Sequence, residues 1–287
     1  MRTPHLRHEL FESPLALLTR HGKEKLLAPV LESSLGCRIQ HIDSFDTDQL
    51  GTFTRDIPRI GSQLDAARKK ANLAAQISNC RFSVSSEGAF GPDPWAGLMP
   101  WNIELILLKD HATGLELTGI AQGSATNNQQ SVSNIDELLN FAEASGFPNH
   151  HLVLRPVHTS SQLQCMKGIS TKEELQGCFL TAQLQSSDGM VYVENDLRAH
   201  CNPTRQKTII KATENLLLRL KSDCPSCGQP GFWVKELQHG LPCRYCLTPT
   251  QKIKAEQWQC PHCTYQELKN REGEEFADPL YCPQCNP

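Results

Sequence analysis

Eight cysteines in the last quarter of the chain stand as four C-x-x-C pairs: Cys224/Cys227, Cys243/Cys246, Cys260/Cys263 and Cys282/Cys285. Each pair sets two thiolates on one tight turn, and two such turns complete the tetrahedral sulfur shell of a structural zinc ion, so the pattern predicts two four-cysteine zinc sites. Fifteen residues separate Cys227 from Cys243 and 18 separate Cys263 from Cys282, both within the span of a zinc ribbon. Sequential ribbons are the first expectation, the first pair joining the second and the third the fourth. An interleaved pairing, first with third and second with fourth, meets the same chemistry. With four thiolate ligands neither ion keeps an open position for water or substrate, so both metals are expected to be structural. A disulfide framework would need an oxidising compartment, whereas the opening MRTPHLRHELFESP has no apolar core of signal-peptide length, and the expected compartment is the cytoplasm.

A stretch as short as residues 221–287 cannot bury enough apolar surface to fold without metal, whereas the preceding 220 residues suffice for one substantial domain. The predicted division is an α/β domain over 1–220 and a double zinc-ribbon module over 221–287. No apolar run reaches membrane-spanning length. The net charge is −3, and residues 221–287 carry 7 Lys/Arg against 8 Asp/Glu, which excludes the basic excess of a duplex nucleic-acid binder. The other five cysteines, Cys37, Cys80, Cys165, Cys178 and Cys201, lack metal-ligand spacing and read as reduced core thiols.

Periodicity predicts a helix over 22–35 with Leu26, Leu27, Val30, Leu31 and Leu35 on one face, and another over 62–77 with a Ser62/Asp65 capping box and an alanine stripe. Residues 81–86 read as a strand, followed by the turn-rich EGAFGPDPWAGLMP and a hairpin of 103–109 with 115–121. Helices over 134–145, 171–183 and 203–221 alternate with strands over 151–155 and 190–194. This alternation predicts an α/β fold with a mixed sheet flanked by helices.

Polar residues that packing does not require gather at element ends: 20–24, 46–59, 85–91 and 194–207. In α/β folds ligands bind where such loops meet at the carboxyl ends of strands. Glu87, beside Gly88, is the strongest candidate acid; with Glu24, or with Asp46, Asp48 or Asp56, it would hold Mg²⁺, a hard cation that takes few carboxylates plus substrate oxygens. The bland reading makes these acids turn residues or helix-end partners. Residues 194–207 join a strand to a helix start and carry Arg198, Arg205 and Lys207, a pattern suited to phosphate; the bland reading has Thr204 cap the helix and Arg198 pair with Asp196 or Glu194. Lys23, next to Glu24, is a further phosphate candidate, and Arg68, Lys69 and Lys70 of the 62–77 helix face outward or toward a ligand. Trp95 and Trp101 are expected to pack over a sheet end rather than to stack on a ligand ring.

The segments HGKEKLLAPVLE, FDTDQLGTFTRDIPR, SSEGAFGPDP, PWNIELILL, NPTR, GLPCRYCLTPT and ADPLYCPQCNP together resemble an uncharacterised bacterial domain-of-unknown-function family over essentially the whole chain. That resemblance implies an architecture, an α/β domain with C-terminal zinc-binding cysteines, and no reaction. A weaker resemblance is to pyrophosphatases that hydrolyse non-canonical purine triphosphates. It rests on the order of the Lys23/Glu24 helix, the lysine-bearing helix 62–77, a strand leading into Glu87-Gly88, a hairpin, and a late Arg/Lys segment before a helix. It implies that Glu24 and Glu87 would hold Mg²⁺, that Lys69 or Lys70 and Arg205 would hold phosphates, and that Mg²⁺-activated water would attack a phosphoryl group. The chain departs from that pattern in having Ser86-Glu87-Gly88 instead of Asp-Ser-Gly, and in its long insertion and cysteine module. The function expected on these grounds is a Mg²⁺-dependent nucleotide phosphohydrolase with structural zinc; the alternative is a non-enzymatic, zinc-stabilised module. The expected partners are a nucleotide or other anionic small molecule in the α/β domain and a protein on the ribbons.

Overall fold

The computed structural model describes residues 5–45, 61–157 and 165–287. The chain forms two compact units, one of Glu12–Leu216 and one that joins the segment through Phe11 to Leu217–Pro287. The predicted cut at 220 therefore falls inside a helix, and the N-terminal segment belongs with the cysteine module. The reason is local: helix α1 (Leu6–Leu10) buries Leu6 and Leu10, Leu6 N–H donates to Gln229 Oε1 at 3.3 Å, and Arg7 pairs with Asp223 at 2.6 Å.

In the larger unit, β1 (Pro14–Leu18), α2 (Glu24–Leu35), β2 (Arg38–Ile42), α3 (Gln63–Ser78), β3 (Phe82–Pro92), β4 (Pro100–Asp110) and β5 (Glu116–Ser124) make a mixed sheet of order β2-β1-β3-β4-β5. β1 runs parallel to both β2 and β3, while β3, β4 and β5 are antiparallel. Four of the five β1 residues are buried, as a strand covered on both faces requires. The alanine stripe Ala67, Ala71, Ala74 and Ala75 of α3 is buried, and its small side chains let the helix lie close to Leu105 and Leu107. The Ser62/Asp65 capping box that starts α3 is present.

One element differs from expectation in a way that moves the candidate acid. The strand predicted to stop at 86 continues to Pro92, so Glu87 and Gly88 lie within β3 rather than after it, opposite Leu105 and Glu104. Long antiparallel pairing with β4 overrides the glycines and prolines that mark a turn.

A second sheet of the same unit comprises β6 (Gln129–Val132), α4 (Ile135–Ala144), β7 (Leu152–Pro156), β8 (Met166–Ile169), α5 (Lys172–Gln185) and β9 (Val191–Asn195), in the antiparallel order β6-β9-β7-β8. Its core joins Leu138 and Phe141 of α4 and Leu175 and Phe179 of α5 to Leu152, Leu154, Val191 and Val193. α6 (Pro203–Lys221) follows; Asn202 Oδ1 accepts from Arg205 N–H at 3.0 Å, so Asn202 rather than Thr204 caps it. α6 approaches β5 closely enough that a Cβ on Gly119 would collide with the Ala212 carbonyl.

The smaller unit holds the meander β10 (Trp233–His239), β11 (Ile253–Gln259) and β12 (Gln266–Asn270) together with the four cysteine turns. Among the described residues no helix is long and apolar enough to cross a membrane.

Candidate functional site

β1 is joined through α2 to β2 on one side and is paired with β3 on the other, so the direction of sheet winding reverses at its carboxyl end. Open α/β sheets bind ligands at such a switch point. Lys23, which starts α2 just beyond β1, is only 6 % exposed, and its ammonium donates to Ser86 O at 2.7 Å and Ser86 Oγ at 3.1 Å. Around it stand Arg205, Glu104, Glu87 and Lys70, all close enough to act on its charge. Burial, reinforced by the Arg205 cation, lowers the Lys23 pKa from 10.5 to about 7, against the opposing pull of Glu104 and Glu87. A buried ionisable group tuned toward neutrality marks a candidate functional site.

The two carboxylates leave the β3–β4 hairpin on opposite faces, because Glu87 is paired with Leu105 and Glu104 with Gly88, one residue out of phase. Glu87 meets Lys70 of α3 at 2.5 Å. Glu104, fully buried, receives Arg205 Nε at 2.8 Å and Asn102 Nδ2 at 3.0 Å, and Arg205 Nη1 also donates to Leu197 O at 2.5 Å. Gly88 leaves the space for this contact: a Cβ there would collide with Glu104 Oε1 and stand 2.5 Å from Arg205 Nη2.

The cluster therefore brings together Lys23, Lys70, Glu87 and Arg205 of the expected residues and adds Glu104, which sequence reading placed in an apolar hairpin strand. Its signal was a lone acid in the run IELILL, where an unpaired charge is too costly to bury. The other candidates lie elsewhere. Glu24 turns toward β2, its Oε2 3.8 Å from His41 Nε2 and without a hydrogen-bond partner. Arg198 forms the pair with Asp196 at 2.6 Å that its bland reading expected. Lys69 and Lys207 are exposed. Asp46, Asp48 and Asp56 lie outside the described residues. Trp95 is not packed over the sheet end but stands 74 % exposed, edge-on to Trp101 on a hairpin tip held by Asp93, which accepts four backbone N–H groups.

As a test of Mg²⁺, no group of three or more metal-ligating side chains gathers at the switch point among the described residues. Glu87 and Glu104 face opposite ways with their charges met, whereas Glu24 Oε2 has coordination to spare. The residues fit Mg²⁺ only as one or two carboxylates completed by oxygens of a substrate.

The Lys23 environment predicts a pH dependence. Folding lowers this pKa, so the unfolded chain holds the proton more tightly and stability should rise as pH climbs from about 7 toward 10.5. Urea unfolding of wild type and Lys23→Met at several pH values should show a stability difference changing by up to about 1.4 kcal/mol per pH unit in that window. A difference independent of pH would mean that Lys23 is not the buried amine described.

In the smaller unit the eight cysteines form two tetrads, Cys224/Cys227/Cys260/Cys263 and Cys243/Cys246/Cys282/Cys285, each able to hold one metal ion. The pairing is thus interleaved, which corrects the expectation of sequential ribbons. The β10–β11 hairpin carries the second cysteine turn at its loop and returns the chain so that the third turn meets the first. Neighbouring sulfurs lie 3.8 and 3.7 Å apart in the first tetrad and 3.4 to 3.9 Å in the second. Those spacings match the edges of a tetrahedron with metal–sulfur bonds of about 2.3 Å and exceed a disulfide bond of about 2.05 Å by far. Hydrogen bonding from Thr248 brings the Cys246 thiol down to about 6, while the neighbouring Cys246 sulfur drives Cys285 up to about 12.

Comparison with known proteins finds one family whose profile matches residues 70–287, Domain of unknown function (DUF6671). The match begins at Lys70 and includes Glu87, Glu104, Arg205 and both tetrads, but not Lys23. No curated protein matches the chain.

Proposed function

Since the chain belongs to the DUF6671 family, whose description assigns no activity, its function has to be argued from its own sites, and we propose that the larger unit is a Mg²⁺-dependent hydrolase of nucleotide-class phosphates acting at the carboxyl end of β1. The observation that carries this reading is the burial of four ionisable side chains, Lys23, Glu87, Glu104 and Arg205, around a topological switch point, with the half-buried Lys70 paired to Glu87. A fold has no need of so many charges there, since well-packed apolar side chains serve stability as well or better.

In this reading Lys23 and Lys70 are the cations that meet the phosphate. A phosphate drawing Lys70 away would release Glu87 to orient a water or take its proton. Lys23, with a pKa near neutrality, passes readily between donor and acceptor states. Arg205 and Glu104 act as positioning residues, clamping the hairpin on α6. Mg²⁺, held by Glu87 together with substrate oxygens, would neutralise charge developing on the phosphate.

Phosphate and pyrophosphate release from a panel of standard and modified nucleotides with Mg²⁺ or Mn²⁺ tests the proposal. Glu87→Gln should lower turnover by roughly 10²–10⁴-fold; unchanged turnover in that variant would sink the assignment. The second reading, a non-enzymatic binding module, draws on the closed pairs Lys70–Glu87 and Arg205–Glu104, which leave both acids neutralised. Tight binding of an anion without turnover across the panel would favour it.

In the smaller unit we infer structural zinc in both tetrads. Four thiolates select a soft or borderline metal and leave no coordination position for chemistry.

A further inference from the structure

The sheet edges of this chain are guarded, with one exception. β2, β8, β10 and β12 carry Arg38, Lys167, Lys235 and Lys269, and the outer side of β5 is closed by α6, where Ile120 N–H donates to Asn215 Oδ1 at 3.0 Å. Charged side chains and a covering helix are the usual means of keeping an edge from pairing with a further strand. β6 is an edge with neither, since residues 127–132 read NNQQSV, without a charge or a proline. Its register shows which groups are left open. Asn195 N–H donates to Asn128 O at 3.0 Å, and Gln130 stands opposite Val193 and Val132 opposite Val191, so 128, 130 and 132 are the residues bonded to β9. Gln129 and Ser131, both exposed, therefore turn their backbone N–H and C=O groups outward, where none has a partner among the described residues.

The next outward residue, Ser133, is closed within the chain: its N–H donates to Glu137 Oε2 at 2.7 Å and its carbonyl accepts from Gln183 Nε2 at 3.0 Å. What remains open is two donors and two acceptors in the alternation of a strand, a pattern that another extended backbone matches in full. Beside it lies an open groove of about 600 Å³, walled by residues 127–130 and by Glu137, Asn140, Phe141 and Ala144 along one face of α4. No residue of β9 lines this groove, which opens beside the unpaired edge. Its wall is neutral. Residues 127–130 supply four amides, and the single carboxylate, Glu137, is already spent on the Ser133 N–H and, at 3.1 Å, the Ser133 hydroxyl. A charged side chain brought there would lose its water and gain no counter-ion.

We propose that β6 is a strand-addition site: an extended, uncharged peptide segment rich in Thr, Ser and Val pairs with the outward groups of Gln129 and Ser131 and lays alternate side chains in the groove against α4. Main-chain hydrogen bonds supply the affinity of such a contact, and the groove that receives every second side chain supplies its selectivity. β-Branched and hydroxyl side chains suit both the extended backbone and the amide wall. The site lies in the second sheet and does not depend on the reading offered for the carboxyl end of β1.

The test uses the full metal-loaded chain and labelled, end-blocked peptides of alternating Thr and Val. A second peptide carries N-methyl groups on alternate residues, which removes the ladder donors and keeps the side chains, and a third and fourth carry Lys or Glu at alternate positions. Fluorescence anisotropy should show the plain peptide binding best, with N-methylation weakening it roughly tenfold or more. Ser131→Pro should weaken binding as much, because it deletes an N–H that faces away from β9 and so leaves the β6–β9 ladder whole. Asn140→Arg, which fills the groove from an exposed helix position where arginine is the better helix former, should also weaken it and should unfold at the wild-type temperature, so that loss of binding is separated from loss of fold. The proposal is overturned if the plain peptide fails to bind, if the N-methylated or charged peptides bind as well, if Asn140→Arg or a folded Ser131→Pro binds like wild type, or if sedimentation shows that β6 instead joins two copies of the chain.

Discussion

Cys260→Ser should reduce the metal content from two equivalents per chain to one, and the choice of second substitution then reads out the pairing. Adding Cys224→Ser should cost no further metal, because both cysteines belong to one tetrad, whereas adding Cys282→Ser should remove the remaining equivalent. Sequential ribbons require the reverse, so metal analysis of these two double variants decides between the topologies. The effect on folding should be large. Structural zinc held by cysteine turns contributes on the order of 10 kcal/mol of binding free energy that is also folding free energy, and the smaller unit has little else to hold it. Apart from Phe232, its buried aromatic content is partial, and its core cluster includes two of the metal-binding thiols themselves, Cys224 and Cys260. Chelation should therefore expose residues 217–287 to protease while the larger unit resists. Interleaving adds a consequence that sequential ribbons lack: losing either ion loosens two cysteine turns that are distant in sequence, together with the sheet between them. An unaltered digestion pattern in chelator would contradict structural metal.

The second large effect is expected at Arg205. Its side chain is about as buried as that of Glu104, at 2 % and 0 % exposure, and the pair is joined at 2.8 Å. Replacing Arg205 with alanine strands a carboxylate where no solvent reaches it, a change that typically costs about 3–5 kcal/mol. Urea unfolding should register that loss in the transition of the larger unit. Replacing both partners, Arg205→Met with Glu104→Met, should recover much of it, since a buried ion pair is seldom worth more to stability than apolar groups of similar volume. The double variant also separates fold from function: restored stability with lost phosphate binding would place the pair in the service of the site. Full activity in a stable double variant would make it structural only.

What could be read from the chain alone was whatever depends on neighbours in sequence. The capping box Ser62/Asp65, the alanine stripe of α3 and the hairpin of β4 with β5 are local patterns, and each is present. The eight cysteines of the two tetrads were legible as C-x-x-C turns for the same reason, such a turn being a four-residue object. Their pairing was not, because it depends on where a hairpin returns the chain, and both pairings close a tetrahedron equally well. Nor was the extension of β3 through Glu87, where turn-forming residues were overruled by a partner strand, or the place of α1 against Gln229 and Asp223. Glu104 shows the division most sharply. In sequence it is a lone acid in an apolar strand; only the packing of α6 on β5 at Gly119, and the gap left by Gly88, bring Arg205 within 2.8 Å and make its burial tolerable. Composition and spacing determined which residues had to find partners, and the tertiary structure decided which partners they found, because the energy of a buried charge or thiolate is set by groups that are remote in sequence and adjacent only in space.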